Sequence, residues 1–527
     1  MKSLVISAVL AIACTGSALA NSDPKPSPSP IPDPPLASAP AAGSPLTYSA
    51  FLRGYYFTRT NASGYGLPQS TNVLNQATFN DALHVHAGYT FSNHWRIGGT
   101  YVYGNPLDNC DTAEDQVQKG GPCSGKTSGT NPDNTLPAFT LSTLYEAYVQ
   151  YGDSRLGATV GNQLLTTPWA NGADTRLKPE AYQGADFTYK FNTHWAGEAA
   201  IIDRFESRVD SDFVESTLLT ATNMADAPGP GANLLVPKYS SIATAGFGYA
   251  RAAYSNARIA ANAYFYNFMD IATVEWFDAK LKLNDPIHNS FFAIQAGNEQ
   301  NGGRSVIGKI DSQAVGIQGG ITPVRNLDFT LGYDYIPEKS ATYAALPAGV
   351  TCAAVPSQPP SKTPAGNQIS VKGQVPFMYF LPTGGTPNCV TNADGSTTVY
   401  YGGWASPYTD SYTSDPLYTT SMTGGMVERR SPGSSAKAAA TWWTYSHRIR
   451  LIASFAMYNY GNDATGITPS RETDLDGTFY FRPVPATGAY HGLVLRHRYG
   501  DRDMTYTQFY GGLPVFKYNR TQLEYDF

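Results

Sequence analysis

Five arginines carry most of the chemistry this sequence offers: Arg448 and Arg450, Arg496 and Arg498, and Arg520. Side chains two residues apart share one face of a strand, so each pair can present two guanidiniums side by side. A guanidinium stays charged and offers a carboxylate a planar fork, and a row of them could hand an anion from one weak site to the next. The same row could instead be neutralised by Asp476, Glu524 and Asp526, and the spacing leaves both readings open. A second charged group is Asp174, Arg176, Lys178 and Glu180, within Leu165 to Gln183. Held inside a water-filled passage, these opposed charges would set a transverse field and a selective narrowing. On an outward loop they would simply be solvated.

Other chemistry is sparse. His84 and His86 alternate with Leu83 and Val85, a pattern that fits the lining of a polar passage, and no matching cluster makes them a metal site. Ser434 and Lys437 have the S-x-x-K spacing of a serine nucleophile without the rest of such a site. No catalytic residues and no cofactor are expected. With 36 basic and 41 acidic residues the net charge is -5, too balanced for a nucleic-acid partner.

The elements that must hold these residues are strands. The last eleven residues alternate Asn519, Thr521, Leu523, Tyr525 and Phe527 with Arg520, Gln522, Glu524 and Asp526. One face suits lipid and the other water, the dyad period of a transmembrane β-barrel strand. Arg448, Arg450 and Ser454 oppose Ile449, Leu451, Ala453, Phe455 and Met457. Arg258, Asn262, Tyr264 and Tyr266 oppose Ile259, Ala261, Ala263 and Phe265, and Arg496 and Arg498 oppose Leu493, Leu495 and Tyr499. A charge at lipid mid-depth costs roughly 2 to 4 kcal/mol, so all these arginines are expected to face the lumen. No segment offers the roughly 20 apolar residues of a spanning helix. A barrel strand needs only about 9 to 11 residues, half of them polar, which reconciles a membrane wall with a mean hydropathy of -0.28. Fifty Gly and 36 Tyr suit its turns and aromatic girdles.

Residues 1–20 read as a signal peptide: Lys2, an apolar run from Leu4 to Ala13, and Ser17-Ala18-Leu19-Ala20 before the cut. A lipoprotein reading at Cys14 has a poor lipobox. Residues 21–48 form a Pro-rich periplasmic segment, and the barrel is expected over 49–527. Phe91-Ser92-Asn93-His94-Trp95 and Phe191-Asn192-Thr193-His194-Trp195 are near-copies of a short aromatic turn. Such turns should alternate with long outward links, among them Leu165 to Gln183, Met269 to Ser312 and Pro337 to Arg430. That count gives 16 strands. Hairpins hidden at Ala272 to Leu283 or at Gln374 to Phe380 favour 18 instead, with 16 as the fallback.

Several stretches resemble the OprD-like family of outer-membrane porins. They are Leu52-Arg53-Gly54-Tyr55-Tyr56-Phe57-Thr58-Arg59, Gly161-Asn162-Gln163 running to Gly184, and Thr473-Asp474-Leu475-Asp476 onward. Ala173-Asp174-Thr175-Arg176-Leu177-Lys178-Pro179-Glu180-Ala181-Tyr182-Gln183-Gly184 is similar to the family's N-D-T-R-x-x-P-x-x-F-x-G signature, with Ala173 for Asn and Tyr182 for Phe. Gly492-Leu493-Val494-Leu495-Arg496-His497-Arg498-Tyr499 is similar to its G-L-S-L-R-x-R-Y strand. The resemblance implies about 18 strands, a monomer in the outer membrane of a Gram-negative bacterium, and a third loop folded inward. It also implies an arginine ladder that guides small carboxylates through a narrow lumen. By likeness to outer-membrane proteins generally, Phe527 would be read by the barrel-insertion machinery. The long Pro337 to Arg430 link and the Pro-rich segment depart from the pattern. A barrel enzyme or a surface adhesin remains the alternative to a porin.

Four cysteines fall in two local pairs, each in a Gly/Pro/Ser/Thr-rich stretch, and export favours disulfides Cys110-Cys123 and Cys352-Cys389. Proximity alone picks this pairing. We predict that non-reducing peptide mapping recovers both links; free thiols at all four positions would refute them.

Overall fold

The computed structural model describes residues 45–61, 76–107, 136–137, 140–172, 176–218, 244–283, 288–305, 310–345, 389–409, 414–422, 424–429, 432–461, 470–485, 490–503 and 515–527. The expected signal peptide and nearly all of the Pro-rich segment lie outside them, as do Cys110, Cys123, Cys352, Asp174 and Gln374 to Phe380. The chain opens with β1 (Leu46–Asn61), β2 (Gln76–Thr90), β3 (Trp95–Pro106), β4 (Leu141–Gly152) and β5 (Leu156–Gln163). A small hairpin follows, β6 (Thr166–Thr167) with β7 (Ala170–Asn171), then β8 (Ala181–Lys190) and β9 (Trp195–Glu206). Next come β10 (Phe247–Ser255), β11 (Ile259–Phe268), β12 (Ala272–Lys282), β13 (Phe291–Asn301), β14 (Asp311–Val324) and β15 (Leu327–Ile336). The long link beyond carries β16 (Lys339–Tyr343), β17 (Cys389–Thr391) and β18 (Thr397–Tyr401) as a sheet of their own. The chain ends with β19 (Gly433–Trp443), β20 (Ile449–Tyr460), β21 (Ser470–Tyr480), β22 (Gly492–Asp503) and β23 (Val515–Asp526).

Eighteen of these form one antiparallel wall, which closes where β23 pairs with β1, from Phe51 opposite Asp526 to Asn61 opposite Phe516. Closure leaves no sheet edge to lipid, which cannot hydrogen-bond a bare backbone. The alternation on β20, β22 and β23 falls as the sequence predicts. Leu451, Phe455, Leu495, Leu523 and Tyr525 face outward, while Arg496, Arg498, Arg520, Gln522 and Glu524 are buried inside.

The strand count of 18 is reached through one of the two suspected hairpins. Met269 to Ser312 is not an outward link: β12 and β13 run through it as wall strands, joined by a turn at the short-turn end. The 16-strand fallback is thereby retired. Arg258 and Arg448 also depart from expectation, since both are exposed at turns rather than lining the lumen. Each precedes its strand by one residue, where the chain has left the pleat and water reaches the side chain.

The two near-copy turns close by one device. Ser92 Oγ accepts the amides of His94 and Trp95 at 3.2 and 3.1 Å, and Asn192 Oδ1 accepts those of His194 and Trp195 at 2.8 and 3.0 Å. Side-chain oxygens that bond their own backbone two residues on stabilise tight turns. Around them Trp95 packs on Tyr151 and Trp195 on Tyr254, with ring centroids 5.1 and 4.9 Å apart. This aromatic rim matches an interfacial girdle.

Leu475 points outward at the middle of β21, between the lumen-facing Asp474 and Asp476. Leu475→Arg is predicted to cost roughly 2 to 4 kcal/mol in reversible unfolding from lipid, against about 0 to 1 for Tyr48→Arg near the rim. Equal costs at the two sites would contradict this placement of the bilayer.

Candidate functional site: the lumen

Two segments fold into the barrel. The first is the expected third link. After β6 and β7, Arg176, Leu177, Lys178 and Glu180 are all buried. The wall binds this segment through its backbone: Arg53 Nη1 donates to the carbonyls of Arg176 (2.9 Å) and Leu177 (3.3 Å), and His84 Nε2 lies 2.8 Å from the latter. Leu177 packs with Tyr55, Phe57, Ala82, Val102 and Tyr145. The Arg176 guanidinium stands 5.3 Å from the Phe57 ring centre, within cation–π range.

Lys178 is paired rather than presented to water. Its Nζ lies 2.7 Å from Glu206 Oε1, both side chains fully buried, and donates to Ser207 O at 2.6 Å, while Thr143 Oγ1 donates to Glu206 Oε2 at 2.9 Å. Burial pushes the Lys178 ammonium below the usual lysine range, and the Glu206 carboxylate pulls against that shift. The described charges of this loop, Arg176, Lys178 and Glu180, are thus all held within the packed interior.

The second inward segment is made of 403–409, 414–422 and 424–427, within the link between β15 and β19, and sequence reasoning missed it. Wall carboxylates hold it by its amides. Glu299 Oε2 accepts from Ala405 N (2.8 Å), Asp334 Oδ2 from Thr419 N (2.8 Å) and Asp474 Oδ2 from Met422 N (3.2 Å). Tyr458 donates its hydroxyl to Thr419 O at 2.8 Å, and Lys437 Nζ donates to Thr420 O at 2.5 Å. The two segments meet. Trp169 stacks on Trp404 at 4.7 Å with Trp276 of the wall edge-on at 5.1 Å, and Tyr182 donates its hydroxyl to Asn171 O and Tyr408 O. A signal did exist in the sequence: Trp404-Ala405-Ser406-Pro407-Tyr408 is an apolar, aromatic burst within a polar link.

Around these segments the wall is divided by charge. β20 to β23 and β1 form one arc of five strands, β8 to β12 another, and four strands separate them on either side. In the first arc Arg496 Nε donates to Asp476 Oδ1 at 3.0 Å and its Nη2 to Oδ2 at 2.5 Å, while Arg498 Nε donates to the same Oδ2 at 3.1 Å. Arg520 lies directly opposite Arg498 in register and over the Tyr55 ring, 5.4 Å from its centre. Two guanidiniums thus share one carboxylate, and a third, Arg520, stands beside Arg498 on the next strand. Arg53 pairs with Glu524 at 2.8 Å, and Arg502 is buried two strand levels above Arg498. Arg450 faces inward with its guanidinium 5.7 Å from the Trp443 ring centre.

The opposite arc is acidic. Tyr249 donates its hydroxyl to Glu198 (2.5 Å) and lies 3.4 Å from Asp186. Arg251 Nη1 donates to Glu198 at 2.9 Å, and Asn262 Nδ2 to Asp278 Oδ1 at 2.8 Å. Here Glu198 pairs with Arg251, Asp186 lies near the same Tyr249 hydroxyl, and Asp278 follows through Asn262, with Lys280 two residues from Asp278 on the same face of β12. Both groups lie at similar height, Asp186 four residues before the end of β8 and Arg496 four after the start of β22. Such a passage carries a transverse field.

The remaining candidates are lining or scaffold. His84 stacks on Phe51 at 4.1 Å and lies 3.2 Å from Tyr145 Oη, while His86 Nδ1 lies 2.8 Å from Thr100 Oγ1. Ser434 and Lys437 are three apart on β19 and so face opposite sides of the wall, which removes the S-x-x-K match as a site.

No family profile and no curated relative matches this chain. Solved structures do match its fold. They include OccK9 (OpdG) of Pseudomonas aeruginosa, 14% identical with a TM-score of 0.59 over 91% of this chain and 98% of that one. OccAB3 of Acinetobacter baumannii is 12% identical, TM-score 0.59, over 92% and 99%. Pseudomonas aeruginosa OpdK crystallised with vanillate is 12% identical, TM-score 0.58, over 92% and 98%. The chain shares the architecture of these proteins over 91 to 92% of its length.

Arg53 ties β1, β23 and the first inward segment together. We predict that Arg53→Met, which leaves Glu524 buried without this partner, costs about 3 to 5 kcal/mol in denaturant unfolding. Adding Glu524→Gln should restore part of that loss. Strict additivity of the two substitutions would show that the pair is not coupled.

Proposed function

We propose that this protein is a passive outer-membrane channel that admits small anionic solutes, carboxylates above all, through a narrowed lumen. The observation that carries the reading is the pairing of Arg496 and Arg498 with the single carboxylate of Asp476 and the placing of Arg520 beside Arg498, with the carboxylates of Asp186, Glu198 and Asp278 on β8 to β12 across the passage. A fixed excess of guanidinium on one side of a confined, water-filled path raises the local concentration of anions and orients them. Arg502 and Arg496 are six residues apart on one strand, roughly 20 Å of path, so a solute can move between neighbouring weak sites. The OpdK structure, with vanillate bound, supplies an example of a small carboxylate in a barrel of this fold. A passive channel of this kind needs no cofactor and no catalytic group, and it works as a monomer. Asp174, Arg176, Lys178 and Glu180 are assigned to the narrowing, with the Arg176 guanidinium held against Phe57 of β1, within the arginine arc. Arg450 extends the ladder toward the short-turn end; the exposed Arg448 adds charge at its mouth.

The test is ion preference in planar bilayers. Replacing Arg496 and Arg498 with Gln should shift the reversal potential in a salt gradient toward cations. It should also lower the flux of a small carboxylate severalfold while sparing a neutral sugar of similar size. Arg520→Gln, which leaves the contacts of Asp476 in place, should move both readouts the same way in an undisturbed wall. Unchanged ion preference and flux in the folded variants would make these arginines neutralisers of a polar wall.

A further inference from the structure

The lipid-facing wall has a groove that the channel reading does not use. It lies over β13 to β15 toward the short-turn end, has a volume of about 670 Å³, and is lined by Phe292, Ile317, Gly319, Ile321, Phe329 and Leu331. The volume falls in the range of small-ligand sites. Its floor is Gly319, which stands in register between Phe292 on one side and Leu331 on the other. Nothing in the fold requires glycine there. A Cβ at Gly319 would meet only Phe291 O, at 3.9 Å, and the backbone is not in the left-handed region. Neighbouring Gly316 and Gly320 differ, because a Cβ at either would come within 2.1 Å of Asp334 or Phe291. The missing side chain at Gly319 leaves an apolar channel running along β14.

A cation lies on the turn that follows the same strand, beyond the residues that line the groove. Arg325, in the turn from β14 to β15, is exposed, lies over the Tyr445 ring 6.0 Å from its centre, and makes no ion pair among the described residues. Six residues separate it from Gly319 along the chain, roughly 20 Å if fully extended and less across the irregular pairing between Ile321 and Val324. That places a positive charge at headgroup depth and a dry groove at acyl-chain depth on one strand.

We propose that this groove is a binding site for one anionic phospholipid of the leaflet on the short-turn side, its acyl chain over Gly319 and its phosphate at Arg325. The proposal rests on the transmembrane reading of the barrel. The apolar walls supply chain affinity in proportion to the area they cover, and the guanidinium supplies headgroup preference through charge-assisted hydrogen bonds to phosphate. Neither group takes part in the lumen chemistry, so the site can be altered without touching the pore.

The experiment is native mass spectrometry of the delipidated, detergent-purified full chain. It is titrated with phosphatidylglycerol or phosphatidylethanolamine bearing the same 16-carbon chains. The wild-type protein should retain one phosphatidylglycerol in preference to phosphatidylethanolamine. Gly319→Phe, which fills the floor where a side chain has room, should weaken retention of both lipids by about tenfold, the order expected for displacing a buried chain segment. Arg325→Gln should erase the headgroup preference and keep the weaker chain binding. Heat-modifiable gel mobility and single-channel conductance are followed in parallel; their loss in the wild-type protein would point to failure of the channel reading itself. Wild-type retention with no phosphatidylglycerol preference, or undiminished retention by folded Gly319→Phe, would overturn the site.

Discussion

Hydrocarbon offers a polypeptide backbone no hydrogen bonds, and the rest of this structure depends on that constraint. Each amide of a wall strand must find a partner in the next strand, so the sheet has to close, and here it closes through β1 and β23. Closure in turn forces the period of two. One face of each strand meets lipid and the other meets the interior, so charge is confined to the interior and concentrated there. The arginines of β22 and β23 are buried because lipid leaves them nowhere else to go, and Arg496 and Arg498 survive burial because Asp476 shares that interior with them.

A wide barrel left empty would be an unselective hole, and the two inward segments change that. The wall grips both of them by main-chain atoms. Arg53 and Lys437 donate to their carbonyls, and Glu299, Asp334 and Asp474 accept their amides. This mode of attachment fixes the path of each loop while leaving its side chains to line or fill the passage. Trp169 and Trp404 fill it on the side of the acidic arc, and Arg176 remains beside Phe57 near the arginine arc. The narrowing and the charge asymmetry are therefore built from the same contacts.

The same packing explains which parts of the structure could be read from the sequence. Strands with polar inner faces and apolar outer ones, such as β22 and β23, alternate cleanly, and their arginines were legible as lumen residues. Strands whose inner faces meet an inward loop do not alternate in the same way. On β12 Val274 and Trp276 point inward against the aromatic cluster, while Glu275 points outward near the end of the strand, which disguises a wall strand as an outward link. On β1 Phe51, Tyr55 and Phe57 line the interior and hide Arg53 among aromatics. The third link came from the alternation of short turns and long links, and its inward fold from motif resemblance. The second inward segment had no such motif, and its wall carboxylates look like ordinary lumen polarity until the loop is seen against them.

The central claim is that the segment carrying β6 and β7 and the described residues between 403 and 427 set the width of the passage. Single-channel conductance of the full chain, compared with a variant in which residues 403–427 are replaced by a short Gly/Ser linker, tests it most directly. The account predicts a severalfold higher conductance in the variant, with the barrel still heat-modifiable on gels. A folded variant whose conductance matches the parent would show that the constriction lies elsewhere.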